Sequence, residues 1–144
     1  MSKHEHVTLK VKPGATQGNG WHTVTASNGQ MYSFKYSGGY QDKGGLKTKV
    51  GDGEASIDLH VDSDHRYSID QVQFADDAYH QLSWLPDPGS DASGVILDAN
   101  TQAEDADYAI IVADAKAAGA TIPCDPMIQN EPRGPKPRPR ITQH

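Results

Sequence analysis

This 144-residue sequence has few of the features that mark disulfide-bonded, membrane-spanning or secreted proteins. It has one cysteine, Cys124, so no internal disulfide can form. The longest apolar run, around residues 108–113, is far shorter than the roughly 20 residues that a membrane-spanning helix needs. The polar beginning MSKHEHVTLKVK lacks the apolar stretch of a signal peptide. We therefore expect a protein of the reducing cytoplasm with no membrane partner.

The helical repeat of apolar residues is also nearly absent, and strict alternation of apolar and polar residues takes its place. The cleanest example is residues 55–61 (ASIDLHV), in which every second residue is apolar. Fourteen glycines and nine prolines favour many turns and therefore many short elements. These patterns predict an all-β fold, an antiparallel β-sandwich of immunoglobulin-like or jelly-roll-like type. We expect about eight strands and at most one helical turn.

Four local signals add detail to this prediction. Ser27-Asn28-Gly29 lies between two β-rich runs and predicts a tight hairpin turn. Residues 46–50 (LKTKV) predict a short edge strand, because lysines discourage pairing with another sheet. The alternation slips near Asp70-Gln71, which predicts a bulge. Residues 114–119 (DAKAAG) are the place where local propensity allows a helical turn, and an extension of the strand into a bend is the alternative.

Charge is distributed unevenly along the chain, whose net charge is −6. Residues 76–125 contain ten acidic residues and one lysine, whereas residues 126–144 contain four basic residues and one acidic residue. We expect one domain over residues 1–132 and a Pro/Arg-rich C-terminal tail over 133–144 that is disordered in solution unless it docks. The acidic segment argues against a nucleic-acid partner, because it would repel the phosphate backbone. The basic tail is suited to the acidic part of a second copy, so a homo-oligomer is expected.

One strand carries a candidate metal site. Asp58, His60 and Asp62 alternate, so their side chains share one face of the strand, and histidine with carboxylate suits zinc or a similar ion. The alternative is that these residues are only the solvated face of a half-buried strand. The pair His4 and His6 is interpreted as a frayed, solvated start of the chain rather than as a ligand pair.

Other kinds of site find less support. The acidic loop of Asp98, Asn100, Glu104, Asp105 and Asp107 fails the EF-hand pattern, because Ala103 and Ala109 stand where that pattern needs Gly and Glu. A nonstandard calcium site and a solvated loop both stay open. No nucleophile elbow or phosphate-binding loop is present in the sequence, and Asp125 beside Cys124 disfavours the thiolate. We identify no catalytic residues and expect no cofactor.

Residues 122–132 (IPCDPMIQNEP) contain Asp125-Pro126 and Glu131-Pro132 within one extended segment. This segment resembles the bacterial DP-EP family, named for those two dipeptides, and is more loosely similar to the AidA/PixA inclusion-body proteins. The resemblance covers about eleven residues. It implies a small bacterial β-sandwich without an assigned activity, and it supplies no catalytic residues. Independently of any family, each proline holds the preceding residue extended, and Asp125 is suited to accept hydrogen bonds from backbone N–H groups that tie the segment down.

The preferred hypothesis is a non-catalytic binding or self-assembly module with an unidentified ligand. The alternative is a binding protein or an enzyme that holds a small ligand or a divalent metal on the Asp58/His60/Asp62 face. A third hypothesis, binding of nucleic acid through the tail, predicts salt-sensitive binding that disappears when residues 133–144 are removed.

Overall fold

The computed structural model describes residues 3–15, 18, 20–62, 66–125 and 138–144. This part of the chain is all-β, with eleven strands, a single 3-10 turn at Ala115–Ala117 and no α-helix. The strands are β1 (His4–Pro13), β2 (His22–Thr25), β3 (Met31–Gly38), β4 (Leu46–Thr48), β5 (Ala55–Asp62), β6 (Tyr67–Ala75), β7 (Leu82–Pro86), β8 (Ser93–Asp98), β9 (Glu104–Asp114), β10 (Ala120–Cys124) and β11 (Arg140–Gln143). Within these ranges no helix has the length and apolar character to cross a bilayer.

The strands form two sheets, and both are mixed. One has the order β2-β3-β1-β5-β8-β7, and the other has the order β10-β9-β11-β4 with β6 paired along β9. The prediction of purely antiparallel sheets is wrong, because β1 pairs with β5, and β11 with β4, in parallel. Alternation of apolar residues has the same period in both arrangements, so the sequence pattern does not distinguish them.

One hydrophobic cluster draws on the inner faces of both sheets. Tyrosines of β3 also connect the sheets through hydrogen bonds. The Tyr32 hydroxyl donates to Asp114 of β9 at 2.6 Å. The Tyr36 hydroxyl donates to the Cys124 carbonyl at 2.5 Å and accepts from the Ile110 amide at 3.1 Å. The aromatic inner face of β3 therefore fixes the position of one sheet on the other.

The four local signals are confirmed. A turn at residues 27–29 joins β2 to β3, with Gly29 at φ 85°, where a side chain would be strained. Strand β4 forms an edge of its sheet, and the register of β6 on β9 shifts between Ile69 and Gln71. The 3-10 turn begins after Asp114, whose carboxylate accepts from the Lys116 amide at 3.0 Å.

The strand count is eleven rather than about eight, and one of the additional strands lies in the Pro/Arg-rich tail. Strand β11 lies between β9 and β4, and its Ile141 is fully buried. The expected boundary at residue 132 therefore differs from the structure, in which the sheet includes residues 140–143. The tail's composition is mostly polar, but the buried Ile141 and Gln143 alternate with Arg140 and Thr142, which suits a strand paired on both sides by β9 and β4.

Candidate metal centre

The parallel pairing of β1 with β5 brings the two outward-facing rows of these strands side by side. In this register His4 lies opposite Ser56 and His6 lies opposite Asp58. The opposite faces of both strands are buried in the core, with Val7 and Leu59 each about 1% exposed. Because burial of those faces fixes the register, it also fixes which polar residues meet on the outside.

Asp58 lies within reach of both imidazoles. Its Oδ2 is 2.9 Å from His4 Nε2 and 3.3 Å from His6 Nδ1. One ligand atom from each of the three residues lies within 4.8 Å of the others. Zinc bonds of about 2.0–2.1 Å at tetrahedral angles would separate the ligand atoms by roughly 3.3 Å. The two measured separations are close to this value, and all three atoms lie within 4.8 Å of one another, so small side-chain adjustments would place them on one ion.

Ser56 orients one of these imidazoles. Its hydroxyl oxygen lies 2.5 Å from His4 Nδ1. Asp58 can only accept at this contact, so Nε2 carries the proton and Nδ1 accepts from the Ser56 hydroxyl. A metal ion on Nε2 would take the place of that proton, and Nδ1–H would then donate to the Ser56 hydroxyl. The second ring nitrogen of a metal-binding histidine is commonly held in this way. The side chains stay accessible, at 47% exposure for His4, 77% for His6 and 41% for Asp58.

A shallow cleft of about 600 Å³ adjoins the cluster on the outer face of the six-stranded sheet. Its polar lining includes His6, Asp58, His60, Ser93 and Asp87, and its apolar lining includes Leu85, Pro86, Pro88 and Val95. Two of the three candidate ligands therefore border a space that is large enough for a small molecule.

The structure places only one of the three predicted metal ligands in this cluster. Asp58, His60 and Asp62 do share the outer face of β5. His60, however, has its Nδ1 3.1 Å from the Ser93 hydroxyl of β8, and Asp62 lies at the end of β5 opposite Lys10. His4 and His6 of the neighbouring strand stand with Asp58 instead.

The interpretation of residues 4–6 as a frayed start is wrong. Strand β1 begins at His4, and the Ser56 amide donates to the Lys3 carbonyl at 3.0 Å. The alternation of His4 and His6 was the signal available in the sequence. That alternation does not indicate which strand lies beside β1. The contact of His4 with Asp58 spans more than fifty residues and depends on the parallel pairing of β1 with β5.

The acidic loop is held by protein donors. Asp98 is fully buried and accepts from the Asn100 amide at 2.9 Å and from Gln143 Nε2 at 2.8 Å. Burial raises the pKa of Asp98 above its usual range. Asn100 adopts φ 56° and donates its side-chain amide to the carbonyls of Lys49 and Gly53. These contacts tie the loop to β11 and to the turn after β4.

Two further acidic residues meet the tail. Asp107 lies 3.3 Å from Arg138, and Asp105 lies 3.4 Å from Arg140. Burial raises the pKa of Asp107 although Arg138 opposes this shift.

Within the described ranges, the one group of at least three His, Cys, Asp or Glu side chains with metal-binding spacing is His4, His6 and Asp58. The acidic loop does not form such a group.

Cys124 is fully buried at the end of β10. Burial raises the pKa of its thiol well above the usual range, which agrees with the expectation of an unreactive thiol. The cause differs from the one expected, because removal from solvent rather than the neighbouring Asp125 produces the shift.

Asp125, from the Asp-Pro and Glu-Pro segment, is buried at 4% exposure. It accepts two hydrogen bonds from the guanidinium of Arg138, at 2.8 and 2.7 Å. The expected donors are backbone N–H groups, whereas these two hydrogen bonds come from a side chain, and they tie the residue after β10 to Arg138 just before β11. Pro126, Glu131 and Pro132 lie outside the described residues.

Comparison with known proteins provides no family assignment. The chain matches no protein-family model, and no curated protein matches it in sequence.

Proposed function

We propose that this protein is a β-sandwich module that binds a divalent transition-metal ion at His4, His6 and Asp58. The observation that carries the proposal is the convergence of two imidazole nitrogens on one carboxylate oxygen, at 2.9 and 3.3 Å. The shared core and the tyrosine hydrogen bonds between the sheets support the sandwich arrangement. Its assignment as immunoglobulin-like or jelly-roll-like stays a prediction.

The ligand set favours particular ions. Two imidazoles and one carboxylate suit Zn²⁺, Ni²⁺ or Cu²⁺, whereas Ca²⁺ and Mg²⁺ prefer six or more oxygen ligands. Three protein ligands leave at least one coordination position open to water or to another molecule. The Ser56 hydroxyl lies beside His4 Nδ1 and is placed to accept the Nδ1 proton when a metal ion occupies Nε2.

Isothermal titration calorimetry with Zn²⁺ on the untagged protein tests this proposal. The expected result is one ion per chain for the wild type and at least a tenfold loss of affinity for His6→Ala and for Asp58→Ala. His60→Ala is the matched control, because it removes an imidazole from the same sheet face outside the cluster. Equal binding by all four proteins, or a loss confined to His60→Ala, would count against the site.

A second candidate function is self-association through the free edge of β7. This strand ends the six-stranded sheet and carries no charged residue, and its Leu85 is 49% exposed. The other sheet ends in β4, whose exposed Lys47 guards the edge. Proline stands only at the last position of β7, Pro86, so the residues before it can still pair with a second copy around a two-fold axis. The homo-oligomer expected from the sequence is therefore proposed at β7.

Light scattering after size-exclusion chromatography tests the second candidate. A β7-mediated dimer should become a monomer in Leu85→Lys at both low and high salt, because the pairing rests on backbone hydrogen bonds and apolar contact. Met31→Lys, a change at another exposed apolar side chain, is the control. A monomeric wild type, or a dimer indifferent to Leu85→Lys, would exclude this edge.

The basic charge of the tail is weak support for self-association or for nucleic-acid binding. Arg138 and Arg140 already pair with Asp125, Asp107 and Asp105 of the same chain. That pairing weakens the case for a charge-driven contact with a second copy or with nucleic acid. Membership of the DP-EP family stays a prediction.

A further inference from the structure

The proposed metal site opens on the cleft rather than away from it. His6 and Asp58, two of its three ligands, line the cleft, and their ligand atoms lie 3.3 Å apart. An ion held by these atoms would stand at the rim of the cleft. Two donor atoms of a molecule in the cleft can then bind the ion, because three protein ligands leave one position of a tetrahedral ion open and the ion can expand to five-coordination.

The walls of the cleft differ in character. Thr8, His60 and Ser93 offer hydroxyl and imidazole groups on one side, and Leu85, Pro86 and Val95 offer apolar surface on the other. Leu85 is 49% exposed and is one of three large apolar side chains with high exposure among the described residues; the others, Met31 and Tyr79, do not line the cleft. A site with a few polar groups beside apolar surface is typical of small-molecule binding.

The charges of the lining constrain the ligand. Two carboxylates, Asp58 and Asp87, border the cleft, so without a metal they repel an anion. A bound divalent ion offsets both negative charges and presents a local positive charge where the donor atom would bind. The cleft should therefore accept a singly charged or neutral chelating group after the metal has bound, and not before.

We infer that the metal-loaded protein binds a small organic molecule through a bidentate oxygen donor, with a short apolar group laid against Leu85 and Val95. The inference rests on the proposed function, since the metal supplies the anchor. The ligand class is a small carboxylate-like or hydroxamate-like chelator with an apolar or aromatic substituent. The polar wall of Thr8, His60 and Ser93 is suited to the ligand's remaining hydrogen-bonding groups.

The test uses Co²⁺ as the metal, because its visible absorption reports its coordination. Protein loaded with one equivalent of Co²⁺ is titrated with benzohydroxamate and separately with acetohydroxamate, and gel filtration afterwards checks that cobalt stays bound. We expect saturable spectral changes with both compounds and at least a fivefold tighter apparent binding of benzohydroxamate, which can bury its ring on the apolar wall. Apo protein should bind neither compound in calorimetry.

Leu85→Ser is the informative variant, because a half-exposed side chain can be replaced without opening the core. It should retain Co²⁺ affinity and lose most of the preference for benzohydroxamate, whereas Met31→Ser should retain both. Bound cobalt whose spectrum neither compound changes would overturn the inference and leave the proposed metal site standing. Equal binding of the two compounds would overturn the role of the apolar wall. A failure of the wild type to bind Co²⁺ would overturn the proposed function as well.

Discussion

Arg138 binds Asp125 through two parallel hydrogen bonds, with Nε 2.8 Å from Oδ1 and Nη2 2.7 Å from Oδ2. Asp125 directly follows β10 and Arg138 lies just before β11, so the pair flanks residues 126–137. Arg138 also lies 3.3 Å from Asp107 of β9. One guanidinium therefore links the ends of three neighbouring strands of the same sheet.

Loss of this guanidinium should be costly. Arg138→Met leaves the buried Asp125 carboxylate without a principal partner, and we expect the free energy of unfolding to fall by about 3 kcal/mol. Urea unfolding measures the change. Arg140→Met is the control: its pair with Asp105 is more than half exposed, at 59% and 57%, so the loss should stay below about 1 kcal/mol. Equal losses in the two variants would refute a special role for Arg138.

Acid should weaken the contact of Asp114 with Arg66. Hydrogen bonds from the Arg66 guanidinium, and secondarily from the Tyr32 hydroxyl, lower the pKa of Asp114 to about 2. Burial of the carboxylate raises this pKa, but its effect is smaller than that of the Arg66 hydrogen bond. A depressed folded-state pKa stabilises the fold above the unfolded value near 4, and this contribution disappears as pH falls toward 2. It amounts to roughly 2 kcal/mol at neutral pH.

The comparison of wild type with Asp114→Asn isolates this effect from other carboxylates. The difference in unfolding free energy between the two proteins should be constant from pH 7 to about pH 5 and should narrow between about pH 4 and 2. Chemical denaturation at a series of pH values provides the measurement. A difference that does not narrow in acid would contradict the assignment.

Gly94 of β8 is required by the indole of Trp84. A Cβ at position 94 would lie 2.3 Å from the Trp84 ring and 2.6 Å from the Leu85 carbonyl oxygen, so β7 would have to move. Gly94→Ala should cost about 1–3 kcal/mol and change the tryptophan emission spectrum. Gly89→Ala, whose nearest neighbour would lie at 3.5 Å, should do neither. An unchanged spectrum and stability in Gly94→Ala would show that β7 is not held against β8 in this way.

Ser56 should tune the metal site without binding the metal. Ser56→Ala removes the hydroxyl that holds His4 Nδ1, and we expect roughly tenfold weaker Zn²⁺ binding with unchanged urea stability. Ser93→Ala is matched to it, because the Ser93 hydroxyl contacts the Nδ1 of His60 in the same manner at 3.1 Å. That variant should bind Zn²⁺ as the wild type does. Equal Zn²⁺ affinities of the wild type, Ser56→Ala and Ser93→Ala would show that Ser56 does not influence metal binding.

The strands and turns of this fold can be predicted from sequence wherever the signal is local. Alternation located β5, and Asn28-Gly29 located the turn before β3. The metal cluster could not be predicted, because it depends on the parallel register that sets His6 beside Asp58 across more than fifty residues. Alternation on β5 placed Asp58 and His60 on one face, but it does not say which neighbouring strand supplies further ligands.

Strand β11 in the C-terminal tail is a second feature that the sequence alone does not predict. Its prolines and arginines predict an unpacked segment, and that composition gives no indication that Ile141 fills a space between β9 and β4. Strand β11 forms because the rest of the sheet offers two unpaired neighbours, which is a tertiary effect. Removal of residues 133–144 would therefore take a strand from inside the sheet, and such a truncation would test folding rather than oligomerisation.

The central claim is that His4 and His6, together with Asp58, bind one metal ion. Long-range ¹H–¹⁵N correlation spectra of the histidine side chains, recorded as Zn²⁺ is added, test it most directly. We predict that the resonances of His4 and His6 change until one equivalent of Zn²⁺ has been added, while the chemical shifts of His60, His80 and His144 stay constant. Spectra in which no histidine responds, or in which His60 responds while His4 and His6 do not, would contradict it.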